Sequence, residues 1–197
     1  ARQAKRRGAL VLSIAALPFD AQPSRRLVAE EACTKLEKYS DVCVRLSLDR
    51  LAWQARERGV DWRLGAAWVE ELVEGLVATI SKIGLINLDL MDLRSIVQKE
   101  GRSTLLVAEG DPDSPMLIFQ NAIRAPLYDV QIQGARGCLI QVEGGIGMTI
   151  QQLEAVASAF TSGLHRDAQV ILGARTTSEL EGKIRVVAVI SGAGLPT

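Results

Sequence analysis

Three polar residues crowd one short stretch: Asn87, Asp89 and Asp92, within Gly84-Leu85-Ile86-Asn87-Leu88-Asp89-Leu90-Met91-Asp92. Carboxylates at i and i+3 share one face of a helical turn. Such a pair can bind a cation, or orient a water for attack on a phosphoryl group. The same residues are also what a helix start prefers, with Asp89 as N-cap and Asp92 at the third helical position. Spacing alone favours the cap.

Other candidates are poorer. Glu143-Gly144-Gly145-Ile146-Gly147 lies between a predicted strand and a predicted helix, where a phosphate cradle would sit. Ile150 stands where G-x-G-x-x-G needs its third glycine, and G-x-x-x-x-G-K-[ST] is absent, so a tight turn is the better reading. His165 has no partner recognisable from spacing and reads as a surface or helix-end residue. Cys33, Cys43 and Cys138 fall in apolar periodic segments and read as small core residues. With one histidine beside them, a Cys/His zinc site or a disulfide framework is not expected, and no metal site is predicted. Trp53, Trp62 and Trp68 read as core.

The elements that must position these residues follow an α/β rhythm. Arg2, Lys5, Arg6 and Arg7 precede the apolar run Ala9–Leu17. That pattern fits the start of a signal peptide, or a basic helix end stopped by Gly8 and a buried strand ending at Pro18; the strand is favoured. Ser24 can cap a helix to about Tyr39, with Leu27, Cys33 (or Ala32) and Leu36 at helical spacing. Val42–Leu46 reads as a strand, and Asp49 can cap a short helix through Trp53. The longest helix is predicted over about Asp61–Lys82. Trp68, Leu72, Leu76 and Ile80 form one ridge there, and Val69, Val73 and Val77 the next. After it come a helix (Leu90–Lys99), a strand (Thr104–Ala108), the loop Gly110–Pro115 and a helix (Met116–Ala125). A strand (Gly137–Val142), a helix (Ile150–Gly163) and two strands (Gln169–Leu172, Lys183–Ile190) close the chain.

The 197 residues carry 48% hydrophobic and 23% charged side chains, the balance of a globular chain with a proper core. Lys plus Arg and Asp plus Glu are 23 each, so no net field draws the chain to nucleic acid or anionic lipid. Aromatics at 4% leave little for base stacking. No run approaches a membrane span, and direct membrane insertion is not expected. The chain opens on Ala1 without an initiator Met and reads as part of something longer.

Gly84–Arg94 resembles the synergy loop of FtsZ, the bacterial tubulin homologue of cell division, which reads GLxNxDFADVR directly after a long central helix. Gly134–Gly145 is similar to that family's GAxGxLxNITGG strand and turn, and Ala168–Gly173 and Lys183–Gly192 to its last two strands. Upstream, Gly8-Ala9-Leu10-Val11, Leu17-Pro18-Phe19, Arg25-Arg26 and Ala29-Glu30-Glu31 resemble its GALTV…TxPF…RR…AEE segment.

The resemblance implies an α/β fold in three parts: a remnant of a Rossmann-like GTPase domain (1–60), a central helix (61–82), and an α+β C-terminal activation domain with a mixed four-stranded sheet (83–197). In that family the loop acids complete the GTPase site of the neighbouring subunit. Carried over, Asp89 and Asp92 are catalytic acids and Asn87 faces the partner's nucleotide. GTP is the implied cofactor, with Mg an optional companion; FtsZ-like subunits associating head to tail are the implied partners, in the cytoplasm. The family's glycine-rich phosphate loop would lie before residues 1–20. Arg26 and Trp62 match nucleotide contacts, but Gln22, Leu48 and Ala67 replace an acid near the ribose, an amide and the acid that reads guanine. Gly101–Pro115 lacks the family's MGxG run. Three readings follow: a subunit whose loop completes a neighbour's GTPase site, a non-enzymatic regulator or capper of FtsZ filaments, or an unrelated α/β enzyme with Asp89 and Asp92 in a closed pocket.

Overall fold

A computed structural model describes residues 1–57, 59, 61, 66–99, 101–124 and 132–193, with backbone only at 54, 57, 66–68, 71 and 72. Arg2–Arg6 forms helix α1, and Gly8, at φ +76°, ends it. The apolar run that follows is strand β1 (Leu12–Leu17). Helix α2 (Pro23–Glu37) returns the chain to β2 (Val42–Ser47), which pairs in parallel with β1, Leu12 opposite Val42.

The start of α2 corrects the expected cap. Gln22 holds the N-cap position and Pro23 opens the helix, its fixed φ suiting the first turn, so Ser24 is already inside. Cys33 is buried as expected, but Leu27 is 69% exposed. Among the described elements α2 lies mainly on the two-stranded sheet, which covers only a narrow strip of it.

Helix α3 (Leu48–Glu57) is also capped differently: the Arg50 N–H donates to Ser47 Oγ (3.3 Å). Asp49 Oδ2 instead accepts the Asp20 N–H (2.9 Å), tying the end of β1 to α3. Trp53, expected in the core, is 63% exposed.

Helix α4 is described over Ala66–Ser81, and Asp61 itself is not helical. Its 16 residues span about 24 Å at the usual rise. Leu76 and Thr79 are buried and Val69 and Ile80 pack on the core, but Val73 and Val77 are exposed. Among the described side chains the second ridge of the predicted stripe is covered only at Val69. Trp68 and Leu72 lie outside the described side chains.

The rest of the chain forms α5 (Leu90–Val97), β3 (Arg102–Gly110), α6 (Pro115–Arg124), β4 (Gly137–Gly144), α7 (Ile150–Thr161), β5 (Gln169–Thr176) and β6 (Ile184–Ala193), with a 3₁₀ turn at Ser178–Leu180. The strands make a mixed four-stranded sheet in the order β3-β6-β4-β5, parallel only between β4 and β5. Alternation along the strands assigns its faces. Gly75 of α4 lies against Val187 and Val107, and the Ile96 carbonyl of α5 accepts from Ser191 Oγ on the same face. On the other face Ile118 of α6 packs against Gly110, and Phe119 and Phe160 meet edge to face, 5.2 Å between centroids. Val42, Val44 and Leu46 of β2 join this core. Glu37 pairs with Arg45 (2.6 Å) and Arg102 (3.8 Å), and Arg94 Nη2 donates to the Gly8 carbonyl (2.8 Å). The two sheets therefore share one hydrophobic body.

One row of side chains across the large sheet alternates in charge: Glu109, Arg185, Glu143, Arg175, each opposite the next. Opposite charges at facing positions stabilise strand pairing. Arg175 bonds the buried Glu143, and Arg185 and Lys183 each reach Glu109 at 3.0 Å. Burial alone would raise the Glu109 carboxyl, but Lys183 and Arg185 hold it below its ordinary 4.5. A lowered folded pKa gives stability that is whole above 4.5 and is lost as pH falls through the folded value. Glu109→Gln should therefore flatten the melting-temperature curve between about pH 5 and pH 3. An unchanged acid limb in thermal melts would contradict this.

Candidate functional site

Between α4 and α5 the chain runs along the open edge of β5. The Ile86 N–H donates to the Ala174 carbonyl and the Ala174 N–H to the Ile86 carbonyl, both at 3.0 Å, a two-bond antiparallel bridge. The loop closes on itself where the Gly84 N–H donates to Asn87 Oδ1 (2.7 Å). Leu88 is 5% exposed, a burial that stabilises the loop by about 1.5–3 kcal/mol. Its neighbours Leu85, Ile86, Leu90 and Met91 stay exposed.

The acids sit immediately after this anchor. Asp89 Oδ1 accepts the N–H groups of Met91 (2.7 Å) and Asp92 (2.9 Å), and Asp92 Oδ2 accepts the Asp89 N–H (2.9 Å). This is a reciprocal capping box, as the spacing predicts. Capping uses one oxygen of each carboxylate; the other takes no hydrogen bond among the described residues. Both side chains lie at the positive end of α5, where negative charge is favourably placed. Two fixed carboxylates are thus held at the start of α5, Asp89 exposed and Asp92 half-buried. Asn87 is brought beside them, with its carbonyl oxygen spent on Gly84.

The remaining candidates have structural explanations. Gly145–Met148 is a tight turn, closed by the Met148 N–H on the Gly145 carbonyl (3.0 Å). His165 accepts the Asp167 N–H at Nδ1 (3.1 Å). Cys33 and Cys138 are buried as expected, whereas Cys43 is half-buried; burial raises the thiol of Cys43 to about 11 and that of Cys138 to about 12. Among the described residues no cluster of His, Cys, Asp or Glu could hold a metal ion, and no helix is long and apolar enough to cross a membrane.

Residues 105–194 match the FtsZ family, C-terminal domain. Over 98% of its length the chain is 33% identical to cell division protein FtsZ 2 of Haloferax volcanii, and covers 49% of that protein. Cell division protein FtsZ of Methanothermobacter thermautotrophicus is 31% identical, with 98% of this chain and 52% of that one aligned. The empty FtsZ dimer of M. jannaschii superposes with a TM-score of 0.78 at 29% identity, over 97% of this chain and 57% of that one. This is an FtsZ-like chain of the tubulin/FtsZ superfamily. It spans about half the length of the curated relatives it matches.

The FtsZ-like chain treats its two nucleotide-side candidates differently from the acid loop. The Arg26 guanidinium is ion-paired with Asp20 and with Glu30 (3.1 Å), so its charge is already matched. Asp20 was not anticipated as its partner, although it follows Phe19 directly. Trp62 lies outside the described residues, and so does the side chain of Ala67. Gly84, Leu88 and the strand residues Gly173, Ala174 and Arg175 were missed as site elements. A glycine inside a strand is the one signal that could have pointed there.

Capping and charge can be separated at Asp89. Asn caps as well as Asp, whereas Ala costs about 0.5–2 kcal/mol. Asp89→Asn should melt close to the parent chain and Asp89→Ala clearly below it. Equal melting of Asn and Ala variants would show that the cap contributes nothing.

Proposed function

We propose that this chain is a cytoplasmic, cell-division-type cytoskeletal subunit that offers Asp89 and Asp92 to the nucleotide of an adjoining FtsZ-like subunit. The observation that carries the reading is the pair of carboxylates, Asp89 exposed and Asp92 half-buried, each fixed through one oxygen with no hydrogen bond at the other among the described residues. In this reading residues 1–60 are the remnant of a nucleotide domain, 61–82 the central helix and 83–197 the activation domain.

Phosphoryl transfer to water needs placement and charge stabilisation more than covalent help. Asp89 and Asp92 would orient a water toward the terminal phosphate of GTP held by the partner. Asn87 would keep its carbonyl on Gly84 and present its amide N–H₂ to that nucleotide. The chemistry is then split between two molecules, and turnover requires their head-to-tail contact. Such a contact is heterologous, so it propagates only where both faces are present.

A second reading is favoured by Arg26. With its charge matched by Asp20 and Glu30, the chain would not hold GTP as its relatives do, and it would end a filament as a non-enzymatic capper.

The chain would be mixed with an assembly-competent FtsZ from the same source, and phosphate release and filament length recorded. Raised turnover that disappears in Asp92→Ala is the expected result. Shortened filaments with unchanged turnover would replace it with capping, and no effect on either quantity would overturn both.

A further inference from the structure

The acid loop touches the large sheet at three consecutive residues of β5, each in a different way. Position 173 receives a side chain: a Cβ there would lie 2.6 Å from Leu88 Cγ and 2.7 Å from Leu88 Cδ1. Ala174 supplies both backbone bonds of the Ile86 bridge. Arg175 backs the loop's first residue, since a Cβ on Gly84 would meet the Ala174 carbonyl at 2.6 Å and Arg175 Cα at 3.2 Å. These residues lie beyond the acids' own capping box, and none contacts Asp89 or Asp92 by hydrogen bond among the described residues.

The mount is itself held rigid from the strand's other side. Arg175 is bonded to the buried Glu143 on β4, and Gly173 faces Gln141 in the same ladder. The row Val107, Val187, Gln141, Gly173 crosses all four strands, and Gly75 of α4 rests on Val187 within it. The helix that leads into the loop and the loop itself are therefore seated on one row of the sheet.

We propose that Gly173-Ala174-Arg175 is the mount that sets the position of Asp89 and Asp92, and that Gly173 is a positioning residue for hydrolysis at the partner's nucleotide. This rests on the reading of the two acids given above. Gly173 is needed for its emptiness, because any side chain there takes the place of Leu88. The atoms in the way belong to the Leu88 and Gln141 side chains, not to the backbone, so Gly173→Ala displaces the loop and leaves the sheet standing. Leu88→Ala empties the same seat from the other side. A shift of about 1 Å in a positioned group costs about 10²-fold in rate.

The test uses the whole chain with the same FtsZ partner and GTP. Gly173→Ala and Leu88→Ala should each lower the maximal stimulated turnover by about 10²-fold. The concentration of chain giving half-stimulation should stay within about twofold, since the exposed contact surface is kept. Ile118→Val, in α6 on the sheet's other face, controls for stability: it should melt lower but keep its turnover. Hydrogen exchange gives a readout independent of the partner. In Gly173→Ala the Ile86 and Ala174 amides should exchange faster while β4 and β6 amides remain protected. Full turnover in Gly173→Ala, beside a parent chain that Asp92→Ala silences, would overturn the mount and leave the acids' role intact. Unchanged protection of Ile86 and Ala174 would also overturn it. Full turnover in Asp92→Ala would remove the acids' role, and the positioning role with it.

Discussion

Everything at the site depends on how closely the chain after α4 can approach the edge of β5. A backbone bridge of two hydrogen bonds between Ile86 and Ala174 requires the loop to lie nearly in the plane of the sheet. Buried backbone groups must find partners, and an unpaired sheet edge is a ready template for one. Glycine at 84 and at 173 permits that approach from both sides. Asn87 then closes the loop and Leu88 fills the space over Gly173, so α5 starts at a fixed place.

Starting the helix there has a chemical consequence. The same two aspartates that satisfy the first N–H groups of α5 each keep a second oxygen without a hydrogen bond among the described residues. Capping lowers the freedom of each carboxylate, which is the entropy a positioned catalyst would otherwise lose on reaching the transition state. In the proposed reading structural and chemical roles are not rivals at Asp89 and Asp92: one oxygen of each serves the helix, and the other would meet the ligand.

How much of this was written in the order of residues differs from element to element. The acids, their capping box, the turn at Gly145 and the alternation of helices and strands follow from local spacing, because each is decided by residues close in sequence. The mixed four-stranded sheet was expected from the resemblance to FtsZ and is the sheet observed. Burial was harder. Periodicity marks Leu27, Val73 and Val77 as apolar but says nothing of what covers them, and all three are exposed among the described elements. Trp53 is exposed for the same reason. The mount on β5 was invisible because its residues lie far downstream of the loop they hold, and only strand register brings them together. The pairing of Arg26 with Asp20 was missed because a resemblance compares positions and does not reveal which neighbouring charge has moved in.

The central claim is that the acid loop faces the nucleotide of another subunit. A structure of the mixed head-to-tail complex, with a slowly hydrolysed GTP analogue in the partner, measures this directly. The account predicts the outward oxygens of Asp89 and Asp92 directed at the terminal phosphate, with Ile86 still bridged to Ala174. A complex in which that phosphate is enclosed by the partner alone, and the loop points to solvent, would contradict it.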